Sequence, residues 1–311
     1  TFDESINVSS LINSDISFTG SSVGGTLSAS ITENAPNNGT SFNIAVSGMS
    51  GVGNVIVSLP GGAVNDLAGN ANVASNSASV SYDGIAPTVA ISSSESSPTN
   101  NTPIPVTVLF SENVIGFVES DLQITNGTAS DFTKLGDNWY TFNLAPTADG
   151  LVTVNLAAGV TTDAAGNGNG AAPQFSITYD STAPTVTISS NEASPTNKTS
   201  IPVTVEFNED VTGFDAADLT IGNGSATNFT AVDGNTYTFD LVPAADGPVT
   251  VNIAAGAAQD LAGNDNLAAT QFSITYDGTA PTVGISSGES SPTNNAAIPV
   301  TVEFSENVTG F

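Results

Sequence analysis

The 311 residues include 30 acidic side chains but only two lysines, Lys134 and Lys198, with no arginine and no histidine, for a net charge of −28. Nothing here can neutralise phosphate, so nucleic acid is excluded as a partner, and so is an anionic membrane surface unless divalent cations bridge to it. Cysteine is absent, which removes disulfides and thiol chemistry, and no apolar run is long enough to span a bilayer as a helix.

One stretch orders the rest of the chain. Tyr179-Asp180-Ser181-Thr182-Ala183-Pro184-Thr185-Val186 has close copies at 82–89 and 276–283, with prolines at 87, 184 and 281. That period of 97 residues suits a small domain and is too long for a helical solenoid repeat. The stretch therefore reads as a linker between beads. Residues 1–86 form a divergent repeat without its first strand or strands. Residues 87–183 and 184–280 are complete repeats, and 281–311 is a partial one. The chain reads as a segment of something longer.

In the first complete repeat, alternation of apolar and polar residues predicts strands over 88–92, 103–110, 122–124, 139–144, 151–157 and 174–179, with a weaker one over 131–135. Glycine, asparagine, aspartate and proline separate them, and no window has sustained helical periodicity. The expected fold is all-β: tandem seven-stranded immunoglobulin-like Greek-key sandwiches arranged end to end. Phe110, Phe132, Tyr140, Phe142 and Phe175 recur as Phe207, Phe229, Tyr237, Phe239 and Phe272 on faces that should be internal. They predict a core, not a sugar-stacking platform. Trp139 alternates away from Tyr140 and is replaced by Thr236 in the next repeat. Pro103 and Pro105 place the start of their strand at an edge or leave it unpaired.

Six acidic positions hold through both complete repeats: Glu95 and Glu192, Glu112 and Glu209, Asp121 and Asp218, Asp149 and Asp246, Asp163 and Asp260, Asp180 and Asp277. Glu4, Asp15, Asp66 and Asp83 extend the series into the first repeat. In a Greek-key sandwich, the loops after the second and sixth strands lie at the end where the domain begins. Glu112 and Asp121 would then meet Asp163, Asn167 and the incoming Asp83. At the next junction Glu209, Asp218, Asp260 and Asn264 would meet Asp180, with Glu95 and Asp149 approaching from the preceding bead. Carboxylates gathered without a basic partner call for a hard cation. Calcium takes six to eight oxygens, magnesium demands near-octahedral geometry, and zinc would want histidine or cysteine. A second reading of Asp163 stays open: it caps its own turn through a side-chain hydrogen bond. An enzyme is not expected, since no histidine, cysteine, arginine or hydrolase-type serine motif is present and acids repeated once per bead do not build a glycosidase cleft.

Asp66-Leu67-Ala68-Gly69-Asn70, Asp163-Ala164-Ala165-Gly166-Asn167 and Asp260-Leu261-Ala262-Gly263-Asn264, together with the linkers, resemble the bacterial immunoglobulin-like repeats of giant surface adhesins. The resemblance implies a secreted or surface-exposed stalk, outside the bacterial cell, in adhesion, biofilm or gliding proteins. Its partners would be neighbouring repeats of the same chain and an anchor or secretion apparatus outside this segment. It also implies structural Ca2+ between domains. Carried over by motif, the ligands would be the junction aspartates Asp83, Asp180 and Asp277 with Asp66, Asp163 and Asp260; the loop topology and recurrence add Asn70, Glu112, Asp121, Asn167, Glu209, Asp218, Asn264 and Glu306 to the candidate set. The alternative is a surface-layer, sheath or other filament protein whose beads pack sideways.

Overall fold

A computed structural model describes residues 1–311, built of strands and single turns of 3-10 helix. In the first repeat, β1 (Gly24–Glu33) pairs antiparallel with β2 (Phe42–Ser50), and β3 (Val52–Val57) with β4 (Ala78–Asp83). Its apolar core is small: Ile6, Ile16, Val55 and Val64 are buried, while Val52 and Val80 are exposed.

The first complete repeat contains β5 (Val89–Ser93), β6 (Ile104–Phe110), β7 (Leu122–Thr125), β8 (Gly127–Lys134), β9 (Trp139–Pro146), β10 (Gly150–Leu156) and β11 (Phe175–Tyr179). They form a four-stranded sheet in the order β5-β6-β9-β8 and a three-stranded sheet in the order β11-β10-β7. The second repeat has β12 (Val186–Ser189), β13 (Ile201–Phe207), β14 (Leu219–Gly222), β15 (Gly224–Ala231), β16 (Thr236–Pro243), β17 (Gly247–Ile253) and β18 (Phe272–Tyr276). Its sheets repeat the arrangement, as β12-β13-β16-β15 and β14-β17-β18. This four-plus-three order is that of a constant-type immunoglobulin sandwich. A last antiparallel pair, β19 (Val283–Ser286) and β20 (Thr301–Phe304), closes the described chain.

Strand alternation makes the core. On β6, Ile104, Val106, Val108 and Phe110 are buried while Pro105 and Leu109 face outward, and β13 repeats the pattern residue for residue. Tyr140, Phe142 and Leu144 from β9 and Val152, Val154 and Leu156 from β10 fill the same interior. Each such side chain contributes about 1.5–3 kcal/mol on burial. Phe117 drops in from the loop after β6 and meets Phe110, Tyr140 and Phe132 edge-on, at ring-centre distances of 5.2, 4.9 and 5.5 Å. With Val114, also buried, Phe117 anchors the loop that carries Glu112. Phe214 and Val211 do the same for Glu209.

One expectation is revised and one is met. The strand expected over 131–135 runs from Gly127 to Lys134, with its register broken between Ser130 and Thr133. Asp131 sits in that bulge at φ 54°. Its carboxylate accepts from Asn143 Nδ2 at 2.8 Å, and the next repeat swaps the pair, with Asn228 donating to Asp240 at 2.8 Å. The sparse apolar residues at 127–130 hid this half of the strand. The proline strand, β6, is internal to its sheet, but its start is unpaired on the β5 side, as its prolines require. Pro105 is accommodated because β5 stops short: its last pair is Ser93 with Val106, so the start of β6 overhangs it. No donor is missed there, and Ser93 Oγ donates to the Pro105 carbonyl at 2.7 Å.

The chain divides into two compact units, one of residues 1–96 with 101–178, the other of 97–100 with 179–311.

Candidate metal centre

The loop between β10 and β11 is built on Asp163. Its Oδ1 accepts the N–H groups of Ala165 and Asn167, both at 2.8 Å, and its Oδ2 accepts Asn167 Nδ2 at 2.8 Å. Gly166 turns the chain at φ 94°, a conformation L side chains rarely adopt. Ile115 N–H donates to the Thr162 carbonyl at 2.7 Å and fastens the Glu112 loop alongside. Asn167 Nδ2 also donates to the Asp83 carbonyl at 3.0 Å, and Gly170 N–H to that of Pro87 at 2.8 Å, which fixes the linker. Carboxylate oxygens of Asp83, Glu112 and Asp163 thereby come within 4.8 Å of one another.

The second unit repeats the construction. Asp260 Oδ1 accepts from Ala262 and Asn264 N–H, both at 2.8 Å, and Asn264 Nδ2 donates to Asp260 Oδ2 at 2.8 Å and to the Asp180 carbonyl at 2.9 Å. Thr212 N–H reaches the Gln259 carbonyl at 2.7 Å. Oxygens of Asp180, Glu209 and Asp260 fall within the same 4.8 Å.

The donor chemistry suits a hard cation. Asp163 is nearly fully buried, and the Asn167 side chain, then backbone N–H groups, hold its carboxyl below the usual range. Glu112 is pushed up, first by burial and then by the charges of Asp83 and Asp163. Glu209 is pushed up by burial, then by Asp260 and Asp180, against a lowering contact from Asn208. Neither lysine relieves this, since Lys134 pairs with Asp137 at 2.8 Å and Lys198 with Glu192 at 3.4 Å. Three of the four lone-pair positions of Asp163 are already taken, leaving one on Oδ2 for a single-oxygen ligand. Each all-oxygen triad could hold a metal ion, and without nitrogen or sulfur donors zinc is a poor fit. The turn-capping reading of Asp163 and the ligand reading are thus compatible: hydrogen bonds fix one oxygen, and the other remains partly available.

A family model for the bacterial Ig-like domain matches residues 83–179 and 180–276. The chain belongs to the bacterial Ig-like domain family. No curated protein matches it. Among solved structures, invasin, described as a bacterial integrin-binding protein, aligns at 16% identity over 86% of this chain and 56% of its own, with a TM-score of 0.36. InvD of Yersinia pseudotuberculosis aligns at 12% over 68% of this chain and 65% of its own (TM-score 0.32). The N-terminal part of the bacterial S-layer protein SbsC aligns at 15% over 62% and 44% (TM-score 0.24). The chain spans about half the length of the invasin structure, and at these scores the alignments add nothing to the family assignment.

These Ig-like repeats place the sequence-derived acids unevenly. Asp121 and Asp218 stand outside the triads. Each closes a single 3-10 turn, Asp121 Oδ2 accepting Val118 N–H at 2.9 Å and Asp218 Oδ2 accepting Asp215 N–H at 2.8 Å. Asp66 and Asn70 make the same turn as Asp163 and Asn167, at 2.7–2.8 Å, but belong to no triad. Asp277 Oδ1 accepts Thr279 N–H at 3.2 Å, Glu306 is exposed, and no triad includes either. Glu95 accepts Asn101 Nδ2 at 2.8 Å across its own hairpin.

Sequence reasoning missed an asparagine two residues beyond each loop motif, buried in both complete repeats and half-buried in the first. Asn169 Oδ1 accepts Thr161 N–H at 3.0 Å, and its Nδ2 donates to the carbonyls of Ala157 and Gly170 at 2.9 and 2.7 Å. Asn72 and Asn266 make the equivalent bonds. The signal was present, since the residue recurs in all three repeats.

Asp246 has a role of its own in these Ig-like repeats. It accepts Gly278 N–H at 2.6 Å and the Thr279 hydroxyl, gripping the linker directly. The Thr279 hydroxyl, then Gly278 N–H, hold its carboxyl below the usual range. An unfolded aspartate titrates near 3.9, so the grip's contribution is complete above that value and is lost as pH falls through the lower folded value. Amide exchange should show Gly278 N–H still protected at pH 4 and released on further acidification. Asp246→Asn should abolish that pH dependence.

Proposed function

We propose that this chain is a non-catalytic structural segment of an extracellular bacterial surface protein. Its repeats, taken as 1–86, 87–183, 184–280 and 281–311, are joined by linkers that calcium stiffens. The observation that carries the reading is the composition of each triad: one linker aspartate joined by two acids from loops of the repeat that follows. Without a cation these charges repel, which adds to burial in raising Glu112 and Glu209. With one, a single ion ties the linker to both loops, and an oxygen-only set of this kind suits calcium. Asp83, Glu112, Asp163, Asp180, Glu209 and Asp260 are the proposed ligands. Asn167 and Asn264 position them.

Calorimetric titration tests this. We expect saturable binding of two calcium ions per chain below millimolar concentration. At about twenty times the dissociation constant, each site should be stabilised by roughly 2 kcal/mol. No saturable binding, or magnesium matching every effect at equal concentration, would leave only general charge screening and overturn the calcium reading.

One observation favours sideways packing into a surface layer or sheath over an isolated stalk. Leu109, Leu135 and Trp139 are about half exposed and adjoin: Leu109 pairs with Trp139, and Leu135 N–H donates to the Trp139 carbonyl at 2.9 Å. A contiguous apolar patch on an otherwise acidic surface suits contact with another molecule. Solution scattering over a concentration series separates the readings. Association that Trp139→Ser and Leu109→Glu abolish supports a lattice, and a concentration-independent monomer supports a stalk.

A further inference from the structure

Ser97-Pro98-Thr99-Asn100 recurs as Ser194-Pro195-Thr196-Asn197 and Ser291-Pro292-Thr293-Asn294, once per repeat. None of these residues carries a charge, and the metal reading makes no use of them. Residues 97–100 belong, with 179–311, to the second compact unit. Thr99 is buried, bridges Tyr179 in parallel, and its carbonyl accepts Asp180 N–H at 3.0 Å. In the next repeat Thr196 does the same for Tyr276 and Asp277, at 2.9 Å. Asn100 goes further: its N–H donates to the Ala262 carbonyl at 3.2 Å, and its Nδ2 to Asn264 Oδ1 at 3.1 Å. Asn264 already spends both amide protons on the Asp180 carbonyl and Asp260. Its oxygen is therefore the free handle, and Asn100 takes it.

We infer that this Ser-Pro-Thr-Asn finger is a latch within the second unit. Thr99 holds the linker at Asp180, and Asn100 holds the Asp-x-Ala-Gly-Asn loop of the following repeat, so the two are joined with no metal bound. The chemistry of the finger fits its place. A carboxylate at position 100 would add a fourth negative charge near Asp180, Glu209 and Asp260 and would offer no proton to Asn264. An amide supplies the donor without charge. The latch is a positioning device, distinct from the proposed calcium ligands, and it holds whether or not calcium binds.

Site-resolved amide exchange on the 311-residue chain in excess chelator tests the latch independently of calcium. In the unmutated protein, the Asn100 and Asp180 N–H groups should be protected under these conditions. Asn100→Ala should speed their exchange about three- to tenfold, the worth of one net hydrogen bond. Asn100→Asp should speed it further, because charge is added where only packing and one bond are lost in the alanine variant. In both variants the β13 and β16 amides, and Asn167 N–H in the first unit, should be unchanged, which shows that the fold is intact. Fast exchange of Asn100 and Asp180 in the unmutated chain under chelator would overturn the latch, as would no change in either variant. Equal effects of alanine and aspartate would overturn the charge argument for asparagine at that position.

Discussion

Replacing Asn266 with alanine lowers the melting transition of the second complete repeat by roughly 12–24 °C. The side chain is buried and serves three backbone groups at once, accepting Ala258 N–H at 2.8 Å and donating to the carbonyls of Ala254 and Leu267 at 3.0 and 2.7 Å. Alanine strands all three where water has little access. A buried polar group without a partner costs about 1–3 kcal/mol, and partial rescue by a water brings the sum to about 3 kcal/mol. For a domain of this size each kcal/mol moves the midpoint by about 4–8 °C. The same change at Asn72, which is only partly buried, should cost clearly less. Scanning calorimetry, with the transition assigned by exchange of the Val203 and Val251 amides, measures both. A shift at Asn266 no larger than at Asn72 would remove the buried network from the account of stability.

Glu209→Gln and Asp260→Asn should act in opposite directions on the metal-free protein while both weaken calcium. Glu209 is ionised against burial and against Asp260 and Asp180. Glutamine removes that repulsion and can still accept from Asn208 through its amide oxygen, so the metal-free repeat should melt higher. Asp260→Asn keeps one acceptor for Ala262 and Asn264 N–H but turns an NH2 group toward Asn264 Nδ2, donor against donor. That repeat should melt lower with or without calcium. Loss of an outer-shell partner already costs a metal site about 10–100-fold, so loss of a ligand should weaken calcium at this triad by at least that much. The first triad, in the other unit, serves as the internal control.

The same geometry gives the pH dependence. A carboxyl whose folded value is raised favours the fold when protonated, so the metal-free repeat gains from Glu209 as pH falls through that raised value and loses as pH climbs back. Calcium must displace the proton. Its affinity should therefore begin to fall at a pH above the ordinary glutamate range, and Glu209→Gln should flatten that slope. Titrations at several pH values would show this; an affinity constant down to the ordinary range would mean that Glu209 is not a ligand.

Much of the architecture was legible in the sequence because strands are local objects. Ile104, Val106, Val108 and Phe110 alternate, and alternation on a pleated strand places them on one face whatever lies opposite. Repetition at 97 residues then marked the linkers, and the Phe110, Tyr140 and Phe142 series marked the core. Recurrence also singled out the acids. It did not sort them. Glu112 and Asp121 flank one loop and recur equally well, yet Glu112 joins a triad while Asp121 turns inward to cap its own 3-10 turn. The deciding factor is the path of the loop, set by where Val114 and Phe117 anchor into the core. Pro105 pointed to an edge or an unpaired strand start, and the start of β6 is unpaired on one side because β5 stops one residue early. Asn100 and Asn264 stand 164 residues apart, and Asp246 reaches 32 residues ahead to Gly278. Side-chain hydrogen bonds across such separations depend on angstrom-scale placement of whole loops, and no periodicity along the chain encodes that. The sequence alone determined the repeat, the strands and the inventory of charge; the tertiary structure decided which charges meet, because convergence is a property of the loops between the strands.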